Sequence, residues 1–255
     1  MIIKVVSFNL WQGGLLWQPL VEFLKQQDSD IYLLQEAYAG TKSKIEPRFR
    51  TVTELTTLFP DYDARFAAFI GDQRSKEGLV DNGNLILSRW PMIDHQTIFF
   101  DVNYGVYDHD ATKDFSAWPA GLQTAGIKLP AGQTLFVANL HGPVWLEGST
   151  LTPRRENMAK SIDYWLKGKD LAILAGDSNA KPDNPCWQLI ETPHFSVFGN
   201  QLPTTFNMKH KDKPGFATSA VDVCLLSPKV KVLSAQVLSQ VDASDHLPLV
   251  FSLEI

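Results

Sequence analysis

The sequence predicts an α/β sandwich built in layers, with two packed sheets and helices on their outer faces. Three observations predict it. Eight apolar runs of five to seven residues, rich in Ile, Val, Leu and Phe, read as buried strands. Only three segments carry clear helical spacing. Several runs are joined by short turns instead of helices, which argues against a doubly wound sheet or a parallel barrel, where strands and helices alternate.

In chain order the first strand is "IIKVVSF", followed by a helix over residues 16 to 26, "LWQPLVEFLKQ". That helix places Leu16, Leu20, Phe23 and Leu24 on one face, with Pro19 near the first turn, where its missing N–H is harmless. "DIYLLQ" is the second strand. Residues 49 to 59, "FRTVTELTTLF", set Phe49, Val52, Leu55 and Leu58 on one stripe, and Pro60 stops the helix. The strands "NLILS", "QTAGIKL" and "TLFVANL" follow, with residues 101 to 120 expected as a surface loop over the site. A third helix starts with Thr152 as cap and Pro153 as its first residue, buries Met158, Ile162 and Trp165 or Leu166, and ends at Gly168. "LAILAG", "VDVCLLS" and "LPLVFSL" complete the strands.

The 255 residues read as one domain, 1–255, because no Ser/Gly or single-charge tract separates two halves. A net charge of -5 argues against a surface that coats polyanions, although a bound divalent cation can hold one phosphate on an acidic protein. Cys186 and Cys224 fit no metal spacing and read as buried thiols. The opening "MIIKVVSFNL" is too short an apolar run for a signal peptide or a membrane span, so the expectation is a soluble, cytoplasmic monomer.

Polar groups gather at the strand ends. Asn9, Glu36, His141 and the pair Asp177 and Asn179 each follow an apolar run; Asp222 opens one, and Asp245 with His246 opens another. Each has a local explanation, since Asp and Asn are turn formers and a lone histidine is often a satisfied core residue. In antiparallel neighbours, however, the end of one strand lies beside the start of the next, so all of these can share one rim. Hydrolysis of a phosphate ester needs such a set. Hard carboxylate and amide oxygens suit Mg²⁺ or Mn²⁺ rather than zinc. The cation polarises the phosphoryl oxygen, a His oriented by an Asp helps deprotonate water, and neutral donors hold the charged oxygens.

Through "SFNLWQGG", "DIYLLQEA", "NGNLILSRWP", "TLFVANLHG", "LAILAGDSNAKP", "SAVDVCLLSP" and "SDHLPLVFSL", in that order, the chain resembles the endonuclease/exonuclease/phosphatase superfamily. The resemblance implies a four-layer α/β sandwich of the DNase I type, with two mixed, mainly antiparallel sheets. It implies Glu36 as principal metal ligand, with Asn9 and Asp245 as direct or water-mediated ligands. His246 would be the base, oriented by Asp222. Asp177 would position or activate water, Asn179 would bind phosphate, and His141 would contact the phosphate or assist the leaving group.

Three departures stand out. The usual GDFN is GDSN here, with Ser178 in place of an aromatic packing residue. Trp11 stands where AP endonucleases carry an acid, and their tyrosine is replaced by His141. Both changes weaken an abasic-site repair reading. The leading expectation is a metal-dependent phosphoester hydrolase with its substrate unassigned; within it a small-molecule or lipid-headgroup phosphodiesterase and a nuclease for DNA or RNA are close competitors, and a non-catalytic binding protein is the other class. Lys209, His210, Lys211 and Lys213 are expected as a local cationic loop. Trp11, Trp17, Trp118 and Trp145 can stack on bases, pack on a lipid or fill the core, and core filling is the expected reading. Asp108, His109 and Asp110 are expected in a solvated loop.

Overall fold

The structure is a computed structural model that describes residues 1–75, 78–111, 114–144 and 149–255. Its first sheet contains β1 (Ile2–Asn9), β2 (Ile31–Tyr38), β3 (Asp63–Asp72), β4 (Val80–Ser88), β6 (Gly105–Tyr107), β12 (Lys231–Val237) and β13 (Leu249–Glu254). Their order is β12-β13-β1-β2-β4-β3-β6. The second sheet contains β5 (Met92–Phe99), β7 (Gly121–Lys128), β8 (Thr134–His141), β9 (Ala172–Asp177), β10 (Phe195–Ser196) and β11 (Asp222–Leu226), in the order β10-β11-β9-β8-β7-β5.

The predicted runs became strands because they are apolar on both faces. One face of each sheet meets the other sheet, joining Val5, Leu33 and Phe251 to Val137, Ile173 and Ala175. The outer face of the first sheet takes Leu20, Phe23 and Leu24 of the helix Trp17–Gln27 and Leu55 of the helix Thr51–Leu58 against Phe8, Tyr32 and Leu34. The outer face of the second takes Met158, Ile162 and Trp165 of the helix Pro153–Leu166 against Ala138, Leu140 and Leu174. The result is the expected stack of helix, sheet, sheet and helix. Each fully buried large aliphatic side chain contributes roughly 1.5–3 kcal/mol.

Local chemistry sets the helix ends. The Thr152 hydroxyl accepts from the Arg155 N–H at 3.3 Å, Pro153 occupies the first turn, and Gly168 takes a left-handed φ of 75° past the end. The first helix starts at Trp17, one residue later than predicted. Phe49 lies not in the second helix but in the 3-10 turn Pro47–Arg50 before it. β3, β5, β6, β10 and β12 were not foreseen. β12 is an edge strand with its residues exposed or half-buried, and β5 is mostly outside the core, so neither shows a continuous apolar run. β6 lies within the expected 101 to 120 loop and pairs in parallel with β3.

The sheet registers place the site. β1 and β2 run parallel with Asn9 opposite Gln35, and β13 starts antiparallel beside the end of β1, with Ser7 opposite Leu249. Across the sandwich, β8 and β9 run parallel with His141 opposite Asp177, and β11 begins antiparallel with Asp222 opposite Asp177. Polar residues hold the two sheets together beneath this rim. Gln35 Nε2 donates to Asn139 Oδ1 at 2.6 Å, and Asn139 Nδ2 donates to the carbonyls of Leu34 and Leu85 at 2.9 and 3.2 Å. β1 pairs with β13, so the two ends of the chain lie side by side and the first sheet needs both.

Candidate active site

A cavity of about 380 Å³ opens at this rim, and Glu36, His141, Asp177, Asn179, Asp245 and His246 line it. Asn9 and Asp222 are buried and reach these residues by hydrogen bonds. The structure therefore brings all eight sequence-predicted residues into one constellation.

Glu36 sits where the pairing of β2 with β4 shifts register between Leu34 and Ala37, and its φ is 59°. A bulge of this kind re-aims a side chain that a regular strand would hold on the other face. Its Oε1 accepts from Asn9 Nδ2 at 3.1 Å and its Oε2 from the Gln12 N–H at 2.5 Å. Burial works to raise the Glu36 pKa, but His141 and these donors outweigh it and hold the carboxyl below the usual range.

The other N–H of Asn9 donates to Asp177 Oδ2 at 3.1 Å, and its Oδ1 accepts from the Trp11 N–H at 3.0 Å. In this structure Asn9 is thus a donor between two carboxylates, with its own oxygen already engaged. That differs from the oxygen-ligand role the resemblance implied.

Reaching across to the second sheet, His246 Nδ1 is 2.8 Å from Asp222 Oδ2, and His246 Nε2 stands 3.7 Å from Asp177 Oδ2. Burial opposes charge on this ring, but Asp222, Asp177 and Asp245 outweigh it and push its pKa up to about 10. A shift in this direction favours the protonated ring, which donates rather than accepts a proton. Asp177 is raised by burial and by the Asp222 charge, against the pull of His246 and His141.

Asp177 ends β9 in a turn that explains the GDSN departure. The Ser178 hydroxyl donates to the carbonyls of Val221 at 2.6 Å and Ala180 at 3.0 Å, tying the turn to the residue before Asp222. The Ser178 position is thus filled by a buried, satisfied hydroxyl. Asn179 takes φ 51°; its N–H donates to Asp177 Oδ1 at 2.9 Å and its amide to the Gly142 carbonyl at 3.1 Å. Gly142 is required here, because a Cβ on it would meet the Ser178 carbonyl at 2.0 Å.

Several supporting residues were missed in the sequence. Arg74 donates to Asp72 Oδ2 at 2.9 Å, to the Tyr38 hydroxyl at 2.5 Å and to Gln12 Oε1 at 2.7 Å. This group braces the Gln12 N–H that holds Glu36. "FIGDQRS" gave only a weak signal, a polar cluster after an apolar run. Ser244, just before β13, ties that strand's approach to the end of the neighbouring β1, donating to the Asn9 carbonyl at 2.7 Å.

The expected cationic loop is largely neutralised. Lys209 and His210 pair with Asp242 at 3.1 and 2.7 Å, and Lys211 pairs with Asp245 at 2.8 Å. Trp17 packs against the core as expected, whereas Trp11 and Trp118 line the cavity; Trp145 lies outside the described residues. His109 also lines the cavity, while Asp108 and Asp110 are both exposed, as expected of a solvated loop.

The donor chemistry fits a hard divalent cation. Asp177, Asp222 and Asp245 are buried carboxylates, Glu36 is half-buried beside them, and neither cysteine lines the cavity. The tightest group of ligand atoms among the described residues is Asp177, Asp222 and His246, all within 4.8 Å of one another. His246 Nδ1 is engaged with Asp222, however, so that group is better read as a hydrogen-bonded relay.

The fold and this rim define a class. The Endonuclease/Exonuclease/phosphatase family model matches residues 6–246, and the chain belongs to that family. No curated protein matches it by sequence. Among solved structures it is similar to an endonuclease/exonuclease/phosphatase from Bacteroides vulgatus, with a TM-score of 0.73 and 19% identity, covering 100% of this chain and 99% of that one. It is similar to a mannosyl-6-phosphatase from Bacteroides thetaiotaomicron, with a TM-score of 0.71 and 18% identity, covering 99% of this chain and 100% of that one. A 3′ phosphatase from Neisseria, bound to a product DNA hairpin, aligns with a TM-score of 0.66 and 15% identity over 99% of this chain and 100% of its own. At such identities the likeness is one of fold. No helix among the described residues is long and apolar enough to cross a membrane.

Proposed function

We propose that the chain is a divalent-metal-dependent phosphoester hydrolase, with Glu36 and Asp245 holding Mg²⁺ or Mn²⁺ and Asn9 bracing the site. The observation that carries this reading is the facing of His246 and Asp177 across 3.7 Å, with Asp222 behind the ring and Glu36 joined to Asp177 through Asn9. The ion, when bound, polarises a phosphoryl oxygen and stabilises the leaving oxygen.

The chain's own groups do the rest. Asp177, its pKa raised by burial, orients the attacking water and takes its proton. His246, charged and held by Asp222, donates to a phosphoryl oxygen as negative charge grows. Asn179 donates to a second oxygen, and His141 protonates the leaving oxygen. This moves the base from His246, where the resemblance had it, to Asp177.

Pairing of Lys209 and His210 with Asp242 favours a small phosphodiester over duplex DNA, which needs free cations along its backbone. The test is a panel of phosphomonoesters, bis(4-nitrophenyl) phosphate and supercoiled plasmid, each with Mg²⁺, Mn²⁺ or EDTA. Metal-dependent cleavage of the small diester with intact plasmid is expected. Nicked plasmid at comparable efficiency makes the protein a nuclease, and no cleavage of any ester overturns the hydrolase reading.

A further inference from the structure

We propose that Trp11 and Trp118 form a stacking subsite beside the phosphate position, so that the substrate carries a single unstacked heteroaromatic ring of the nucleobase type on one ester oxygen. This rests on the hydrolase reading above.

Trp11 is presented by a turn that a core-filling residue would not need. Trp11 and Gln12 are consecutive non-glycine residues with left-handed φ values of 56° and 53°. Of the six such residues described, Trp11, Gln12, Glu36 and Asn179 all line this cavity, so strain is concentrated where the chemistry is. The turn is fixed by the Asn9, Glu36 and Arg74 hydrogen bonds already described. It is also fixed by Gly13, where a Cβ would meet the Arg48 carbonyl at 2.1 Å. The half-buried indole is therefore rigid before any ligand arrives, which favours stacking.

Trp118 reaches the same cavity from the chain between β6 and β7. It packs edge-on against Phe115 at 4.7 Å and His109 at 5.3 Å, and both of those rings line the cavity too. Its indole N–H is buried without a hydrogen-bond partner. The cavity, about 380 Å³, is of the size that takes one small ligand. With Lys209 and His210 neutralised by Asp242, ring contacts are left to supply selectivity.

Three esters with the same leaving group test this: the thymidine 5′, methyl and hexyl esters of 4-nitrophenyl phosphate. Stacking predicts that kcat/KM for the thymidine ester exceeds that of the methyl ester by about tenfold or more, mainly through KM. Trp11→Ala and Trp118→Ala should each shrink that ratio toward unity. Trp11→Phe and Trp118→Phe, which keep a ring, should each keep most of it. Binding of thymidine 5′-monophosphate, read in EDTA by quenching of tryptophan fluorescence, should weaken in both alanine variants. A hexyl ester preferred over the thymidine ester, or a ratio near unity in the wild type with the methyl ester hydrolysed, overturns the subsite and leaves the hydrolase reading standing. Quenching without hydrolysis of any ester does the reverse. A thymidine dinucleotide ester adds the last arm: a gain over the mononucleotide identifies a chain end as the source of the ring, and no gain identifies a free nucleotide.

Discussion

His246 and Asp222 are joined through Nδ1 and Oδ2 at 2.8 Å; His246 lies three residues before β13 and Asp222 is the first residue of β11, so the contact crosses from one sheet to the other. Replacing Asp222 with Asn keeps its shape and removes the charge that holds His246 protonated. The expected loss is in kcat, by about 10²-fold or more, with little change in KM. Steady-state kinetics on a small diester check it, and a wild-type kcat would contradict the role assigned to the pair.

Titration of the metal-free protein reads the same pair by stability. His246 has its pKa raised to about 10, against about 6.5 in an unfolded chain. Its contribution is therefore complete below about pH 6.5 and is lost as pH rises through about 10. Tm measured in EDTA should fall over this window in the wild type and fall less in His246→Gln. Parallel Tm curves for the two proteins would show that the ring is not held charged.

Asn9 supplies one amide to two carboxylates, Glu36 and Asp177, at 3.1 Å each. Asn9→Ala leaves both without this donor and should lower stability by about 1–3 kcal/mol in urea unfolding. Asn9→Asp adds a further negative charge beside the two and should be worse without metal than with it. Equal losses with and without Mg²⁺ would separate Asn9 from the metal site.

Gly142 carries a steric prediction. A Cβ there meets the Ser178 carbonyl at 2.0 Å, whereas one on Gly132 has nothing within 4 Å. Gly142→Ala should cost about 1–3 kcal/mol and displace the Asp177 to Asn179 turn, lowering activity with it. Gly132→Ala should cost only the strain of its left-handed φ of 84° and leave hydrolysis unchanged. Similar activity in the two variants would show that the turn tolerates the shift.

The strands around the site were legible because burial on both faces leaves continuous apolar runs, and each ended in the polar group that the registers bring together. Edge strands such as β12 were not legible, since exposure breaks the run. The register shift that turns Glu36 toward the rim has no local signature in "LLQEAY". Arg74, Asp72 and Gln12 support the site from separate segments, and their meeting depends on the fold. The upward shift of the His246 pKa was equally hidden, because Asp222 and Asp177, which drive it against burial, come from the start of β11 and the end of β9. Trp11 was read as core; its position follows from a left-handed turn that nothing in "NLWQGG" announces except the glycines after it.

The most direct measurement is the rate of bis(4-nitrophenyl) phosphate hydrolysis for wild type, Asp177→Asn and His246→Ala, with saturating Mg²⁺ or Mn²⁺ and with EDTA, on protein shown to be folded by circular dichroism. The account predicts metal-dependent turnover in the wild type, its loss in EDTA, and a fall of about 10²- to 10⁴-fold in each variant with the fold intact. Wild-type rates in folded Asp177→Asn and His246→Ala, or turnover that survives EDTA, would contradict it.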